Sequence, residues 1–364
     1  MPKIGVIGGG QLGQMLAIAG IPLGFEFVFL DPAADACASL VGTHICADYA
    51  DKAALTKIVQ MCDVITFEFE NVTPQATEFL AQQKTAVFPP PKALQIARDR
   101  LYEKTLFNEL KIPTPQFAAV NSAAELNAAL DAIGTPAILK TRTLGYDGKG
   151  QFVLKNKNDA AKAWQALQGA LSILEQMIAF EHEISIIAVR SQNGEIRFYP
   201  AVRNQHQNGI LRLSKPDTQH PLQNLAEDYT ARILQHLDYV GVLAFEFFVD
   251  ENGLIANEIA PRVHNSGHWT IEGAFCSQFA NHIRAITNLP LGKTKLTKTC
   301  AMLNLLGQIP PITKLLAVPN TYVHHYHKAF KAGRKVGHLT LIADDFLSLE
   351  QKIKQQEQTI KDYS

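Results

Sequence analysis

Residues 241–269 constrain the fold more than any other part of the chain: G-V-L-A-F-E-F-F-V-D-E-N-G-L-I-A-N-E-I-A-P-R-V-H-N-S-G-H-W. Two apolar, aromatic-rich runs, 242–249 and 254–259, flank Asp250, Glu251, Asn252 and Gly253, the pattern of a β-hairpin. With the turn centred near Asn252, Glu246 and Glu258 stand opposite one another, their Cβ atoms about 4.5–5.5 Å apart. Two opposed carboxylates in an apolar ladder repel, and burying them unpaired costs several kcal/mol. A divalent cation between them removes the conflict. Mg²⁺ takes one or two carboxylates and completes its shell with phosphate oxygens and water, so the same pair implies a nucleotide phosphate. The competing reading leaves one glutamate solvated on an open face. Arg262, His264, Asn265 and His268, crowded together with Pro261 and Gly267, are too polar and irregular for a core strand and favour the site. Strict alternation turns Asn257 away from the metal; only a bulge would bring it back.

At the amino end an apolar strand (3–7) leads into Gly8-Gly9-Gly10-Gln11-Leu12-Gly13 and a helical pattern, with a second strand over 25–30 ending in Asp31. This matches the dinucleotide fingerprint G-x-G-x-x-G with an acidic residue about 20 positions on. The mechanics are less specific. Glycines and a helix N-terminus suit any phosphorylated ligand, or simply a tight turn. A third strand, 64–69, carries Glu68 and Glu70 on one face by alternation, at the strand end where open α/β sheets place ligands. Solvated edge carboxylates are the alternative. Phe88 and Pro89 to Pro91 close the unit.

Residues 93–110 read as one helix bearing Arg98, Asp99, Arg100 and Lys104, stopped by Pro113 and Pro115. A strand over 137–140 ends in Lys140 and pairs with 151–154. Its tip holds three glycines, two cations and an acid, a loop able to fold over phosphates. Further strands are expected over 173–178, 183–189 and 199–202, the last followed by a loop (204–209) containing His206. A carboxy-terminal cluster, Tyr322 to Lys328 and Lys331 to His338, is either a solvated turn or an anion site.

A chain of 364 residues accommodates two or three domains. The expected division is 1–92, Rossmann-like; 93–292, the nucleotide-binding unit, with a flap at about 113–178; and 293–364, small and β-rich. Lys plus Arg and Asp plus Glu are both 34, which gives no sign of a nucleic-acid or membrane surface. Five scattered cysteines form no C-x-x-C pair, no run reaches about 18 apolar residues and no signal core follows the N-terminus, so a soluble cytoplasmic protein with reduced thiols is expected.

The order of these pieces resembles the ATP-grasp superfamily and, within it, the N5-carboxyaminoimidazole ribonucleotide synthetase family. The motifs that carry the likeness are N-E-I-A-P-R-V-H-N-S-G-H-W at 257–269, G-Y-D-G-K-G-Q at 145–151 and G-R-K-V-G-H at 333–338. The resemblance implies a mixed α/β and α+β protein, an ATP-grasp fold with a Rossmann-like pre-ATP-grasp domain and a small carboxy-terminal domain. It implies a homodimeric ligase that uses ATP, Mg²⁺ and bicarbonate to carboxylate 5-aminoimidazole ribonucleotide through carboxyphosphate in purine biosynthesis. Arg100 and Lys140 would meet the phosphates under a flap of Gly145, Tyr146, Asp147, Gly148, Lys149, Gly150 and Gln151. Glu175, Gln176, Met177 and Ile178 would meet adenine, Glu183 the ribose, and His206 the nucleotide again. Glu246 and Glu258 would hold the metal, with Asn257 beside them. Gly10, Gln11, Leu12, Glu70, Tyr146, Asn265 and Lys335 would contact the ribonucleotide. Asp147, Arg262, His264, Lys328 and Arg334 would act at the reacting groups, Asp147 orienting or deprotonating the amine. The sequence departs from the family pattern at Leu144, where a second glycine is allowed; loop flexibility is what that touches. Rival readings are another ATP-grasp ligase acting on formate or biotin, a nicotinamide-dependent oxidoreductase built on the glycine loop and Asp31, and a nucleotide sensor without turnover.

Overall fold

A computed structural model describes residues 1–145 and 149–363. The amino-terminal strands β1 (Lys3–Ile7), β2 (Glu26–Asp31), β3 (Thr43–Cys46), β4 (Val64–Phe67) and β5 (Ala86–Val87) form a sheet of order β3-β2-β1-β4-β5. Every pairing is parallel, and the central strands β1, β2 and β4 read as buried, mostly apolar runs, as strands covered on both faces do. The order reverses direction between β1 and β4, which opens a crevice at their carboxyl ends. β4 stops at Phe67, so alternation does not govern Glu68 and Glu70; both lie in the turn that follows.

The single helix expected over 93–110 is two, Pro91–Arg98 and Arg100–Glu109. Asp99 breaks it with extended backbone and caps the second helix by accepting the Leu101 N–H at 2.9 Å. Its carboxylate also takes the Arg142 guanidinium. That break sets Arg100 at the first position of a new helix, facing the flap. Four antiparallel strands follow, β6 (Phe117–Val120), β7 (Ala137–Thr141), β8 (Gln151–Leu154) and β9 (Ser172–Gln176), in the order β6-β9-β7-β8.

The large sheet contains β10 (His182–Arg190), β11 (Ile196–Phe198), β12 (Ala201–Gln207), β13 (Ile210–Asp217), β14 (Gly241–Asp250), β15 (Gly253–Ala260), β16 (Thr299–Leu306), β17 (Thr321–His325) and β18 (Lys335–Ala343). Its order is β15-β14-β10-β12-β13-β16-β18-β17, with β11 on β10. His206 therefore sits on a strand, β12, and not in the loop expected at 204–209. The hydrogen-bonded ladder continues across residue 293, because β16 pairs with β13 at Leu213–Leu303 and Ser214–Met302. The expected division at 92/93 falls within helix Pro91–Arg98.

Helix Gln278–Ile286 packs between the amino-terminal unit and the large sheet. Its fully buried His282 places Nε2 2.7 Å from Thr66 Oγ1 at the end of β4 and accepts the Val242 N–H of β14 on Nδ1 at 3.0 Å. One imidazole thus joins the two sheets. None of the described helices is long and apolar enough to cross a membrane, and the five cysteines are free thiols.

Candidate active site

The central hairpin closes on a two-residue loop, Glu251-Asn252, with Asp250 paired to Gly253. Asp250 Oδ1 accepts the Asn252 and Gly253 N–H groups at 2.8 and 3.0 Å. This register would set Glu246 against Asn257, one residue short of the expected partner. A bulge corrects it. Phe247 pairs with Ala256 but Glu246 pairs with Glu258, which makes Asn257 the extra residue. The two glutamates are opposed as expected, although for a different reason, and Asn257 joins them in lining the cleft. Glu246 is mostly buried while Glu258 is open to the cleft. Burial and then the neighbouring Glu258 push the Glu246 carboxyl up to about 7: the pair is short of positive charge.

The cleft encloses ≈ 440 Å³ where the three sheets converge. Arg100, Lys140, Gly145, Lys149, Gln151, Glu183 and His206 line the side toward the flap, and Gln11, Leu12, Glu70, Arg262, His264, Asn265 and Lys335 the side toward the amino-terminal sheet. Arg100 donates to the carbonyls of Thr141 and Gly145 at 3.2 and 3.4 Å, tying its helix to the flap base. Lys140 Nζ donates to Glu175 Oε2 at 3.0 Å. Burial alone would raise that carboxyl, yet Lys104 and Lys140 bring Glu175 down to about 2. Glu175 therefore acts as a buried counter-ion beneath the cleft floor. Beyond it Gln176 and Met177 are exposed and Ile178 half-buried, with the Met177 N–H already given to Pro136 O at 3.2 Å. Burial depresses the His206 imidazole, but the 2.6 Å bond from Nδ1 to Glu183 Oε2 and the charges of Glu246 and Glu183 together outweigh this and raise it above its ordinary value.

Opposite, Arg262 Nε meets Glu70 Oε2 at 2.7 Å. His264 Nε2 is 3.6 Å from Glu246 Oε1, and burial followed by the Arg262 charge holds its ring neutral. Asn265 and Asn304 exchange amide hydrogen bonds at 3.0 and 2.6 Å, which locks Asn265. Lys328 reaches Gln11 Oε1 without lining the cleft. Arg334 is exposed, its guanidinium 3.4 Å from Ala329 O, and lies outside the lining. Gly10 and Gly150 do not line it either. Tyr146, Asp147 and Gly148 lie outside the described residues.

The glycine loop differs from its fingerprint. Glu68 accepts the Gly10 and Gly13 N–H groups, each at 3.0 Å, and Asp31 accepts those of Gly9 and Ala33 at 2.8 Å and the Tyr49 hydroxyl at 2.8 Å. These donors, which a dinucleotide phosphate would need, hold the chain's own carboxylates, and Asp31 is spent within the loop rather than offered to a ribose. The reading of this turn as a phosphate cradle, and with it the oxidoreductase, loses its support. Gln11 and Leu12 still reach the cleft through their side chains. Glu103 and Lys104, buried under the hairpin bulge, received no role from the sequence; their signal was their spacing from Arg100, three and four residues on along one helix face.

Comparison with known proteins agrees with this geometry. Family profiles match in succession the ribonucleotide synthetase preATP-grasp domain over residues 1–98, the ATP-grasp domain over 105–279 and the phosphoribosylaminoimidazole carboxylase C-terminal domain over 300–352. The chain is 56% identical over 359 residues to the N5-carboxyaminoimidazole ribonucleotide synthase of Pseudomonas aeruginosa, covering 99% of each. Its fold is similar to the crystal structure of N5-carboxyaminoimidazole ribonucleotide synthetase from Thermus thermophilus, with TM-score 0.93, 46% identity and 98% of each chain covered. It is also similar to the Aspergillus clavatus synthase in complex with ADP and 5-aminoimidazole ribonucleotide, with TM-score 0.91, 29% identity, and 99% of this chain and 98% of that one covered. On this breadth of match the chain belongs to the N5-carboxyaminoimidazole ribonucleotide synthase family and has the ATP-grasp fold.

Proposed function

We propose that the chain is a carbon–nitrogen ligase that carboxylates 5-aminoimidazole ribonucleotide on its amino group, with ATP and bicarbonate consumed and ADP and phosphate released, in purine biosynthesis. The observation that carries this reading is the paired Glu246 and Glu258 in a cleft that also holds Arg100, Lys140 and Arg262, in a chain that matches this family over 99% of its length. A bicarbonate oxygen attacks the γ-phosphorus and the bond to the β,γ-bridging oxygen breaks. This forms carboxyphosphate and frees ADP. The substrate amine then attacks the carboxyl carbon, phosphate leaves, and the amine proton passes to a base, the role that the family resemblance gives Asp147.

Negative charge gathers on the phosphoryl oxygens in the first step, and preorganised cations stabilise it. Arg100 and Lys140 supply them from the flap side, with Glu175 fixing the lysine. Among the described residues no group of three or more His, Cys, Asp or Glu is set to hold a metal. Two carboxylates that need further oxygen ligands suit Mg²⁺ bound through a nucleotide phosphate; Glu246, Glu258 and Asn257 would hold it, and it would neutralise phosphate charge. The elevated Glu246 carboxyl, a consequence of burial and crowding by Glu258, fits a cation between them. Arg262, oriented by Glu70, and neutral His264 face the side where the ribonucleotide would lie, with Lys328, Lys335 and Arg334 contributing positive charge beyond. We propose the same three units, 1–92, 93–292 and 293–364, a homodimer and a cytoplasmic setting, on the family resemblance. The test is ADP release with ATP, bicarbonate and aminoimidazole ribonucleotide omitted in turn, beside Glu258→Ala. The full mixture alone should turn over, and the variant should fall by about a thousandfold or more. Formate- or biotin-dependent turnover, or a fully active variant, would overturn the reading.

A further inference from the structure

β15 is an edge strand of the large sheet, and a bulge on such a strand leaves displaced backbone groups that burial does not tolerate unpaired. The segment beginning at Arg100 pairs four backbone groups around the bulge. Lys104 Nζ donates to Ala256 O at 3.0 Å and Asn257 O at 2.6 Å, and lies 3.7 Å from Glu175 Oε2. Glu103 Oε1 accepts the Ile259 N–H at 2.7 Å, and Pro113 O accepts that of Ala256 at 2.7 Å. Both side chains are all but excluded from solvent, at 2% for Glu103 and 1% for Lys104.

Burying a lysine and a glutamate this deeply is a poor way to gain stability, since desolvation offsets most of the attraction. The position of the pair explains its presence better. The carbonyls held by Lys104 bracket the extra residue that moves Glu258 opposite Glu246, and the carboxylate it approaches, Glu175, also holds Lys140. A cation of the phosphate side and the carboxylates of the hairpin are thus fixed in one buried frame. We propose that Glu103 and Lys104 are positioning residues that hold the bulge in register, so that affinity for the divalent cation, rather than for the nucleotide alone, depends on them. The inference rests on the nucleotide-and-metal reading of the cleft.

The experiment measures Mn²⁺ binding to the whole protein in saturating ADP, from the electron paramagnetic resonance of the free ion, and ADP binding in EDTA by calorimetry. Lys104→Met and Glu103→Leu should each weaken Mn²⁺ about tenfold or more, the range for groups that orient metal ligands, while ADP in EDTA shifts less than about twofold on the same grounds. Glu103→Gln, whose amide oxygen still accepts the Ile259 N–H, should retain the parent's Mn²⁺ affinity. Folded variants with the parent's Mn²⁺ affinity, an equal loss of ADP binding in EDTA, or a glutamine variant as weak as the leucine one would overturn the proposal. Should Lys104→Met fail to fold, the two Glu103 variants decide it. Failure of the parent protein itself to bind Mn²⁺ with ADP would instead overturn the metal reading beneath.

Discussion

Leu144, exposed at the base of the flap, adopts φ +63°, in the left-handed region. A side chain there costs about 1–2 kcal/mol, and the 63% exposed leucine returns little packing in exchange. Leu144→Gly removes the strain but frees the unfolded chain, a loss of about 0.4–1 kcal/mol. The two nearly offset, with the balance favouring glycine, so the variant's thermal midpoint should equal or exceed the parent's in calorimetry. A drop of several degrees would mean that the side chain makes contacts this conformation does not account for. The sequence marked Leu144 as a departure from its family but carried no value for φ. Single positions whose chemistry is written in the side chain, such as Glu246, Arg262 or Lys140, were legible. Positions whose significance lies in backbone conformation or in three-dimensional neighbours, such as Glu68 and Lys104, were not.

Among elements, the hairpin was readable because two apolar, aromatic-rich runs flank distinctive turn residues. Its register was not, because a bulge has no composition of its own and came to light only as the condition that Asn257 would need. Helical periodicity likewise ran straight through Asp99, whose carboxylate caps the second helix and also holds Arg142, distant in sequence. The glycine loop was misread for a related reason: glycines admit close approach by any oxygen, and here the approaching group is Glu68. At Gly8, φ is +110° and an added Cβ would lie 2.3 Å from Glu68 Cγ. Gly8→Ala should therefore lose about 2–4 kcal/mol, the joint effect of a strained backbone and an overpacked site, measured as a shift of the urea midpoint. NADH should give no heat of binding to the parent protein in calorimetry. A stable Gly8→Ala protein, or an NADH isotherm, would restore the loop to the role its fingerprint suggested.

At the scale of the whole molecule, the amino-terminal sheet and the large sheet are held in relation by helix Gln278–Ile286, and His282 is a fully buried polar contact between them. Burial alone lowers this imidazole to about 3 from an ordinary value of 6.5, because a charged ring could not be solvated there and Nδ1 must remain an acceptor for the Val242 N–H. The folded state thus binds fewer protons than the unfolded state between those values. The stabilisation is complete above pH 6.5 and is lost as pH falls toward 3, at up to about 1.4 kcal/mol per pH unit for a single proton. His282→Gln can still accept from Val242 and donate to Thr66 but cannot titrate. Thermal midpoints of the parent and the variant measured from pH 7 to pH 4.5 should therefore diverge at neutral pH and converge as acid is added, the variant starting lower and losing less. Parallel curves would assign acid sensitivity to other groups and leave His282 as a packing residue. Since the cleft lies where these sheets meet, its walls depend on the same joint, and ATP turnover should decline in acid before the large sheet itself unfolds.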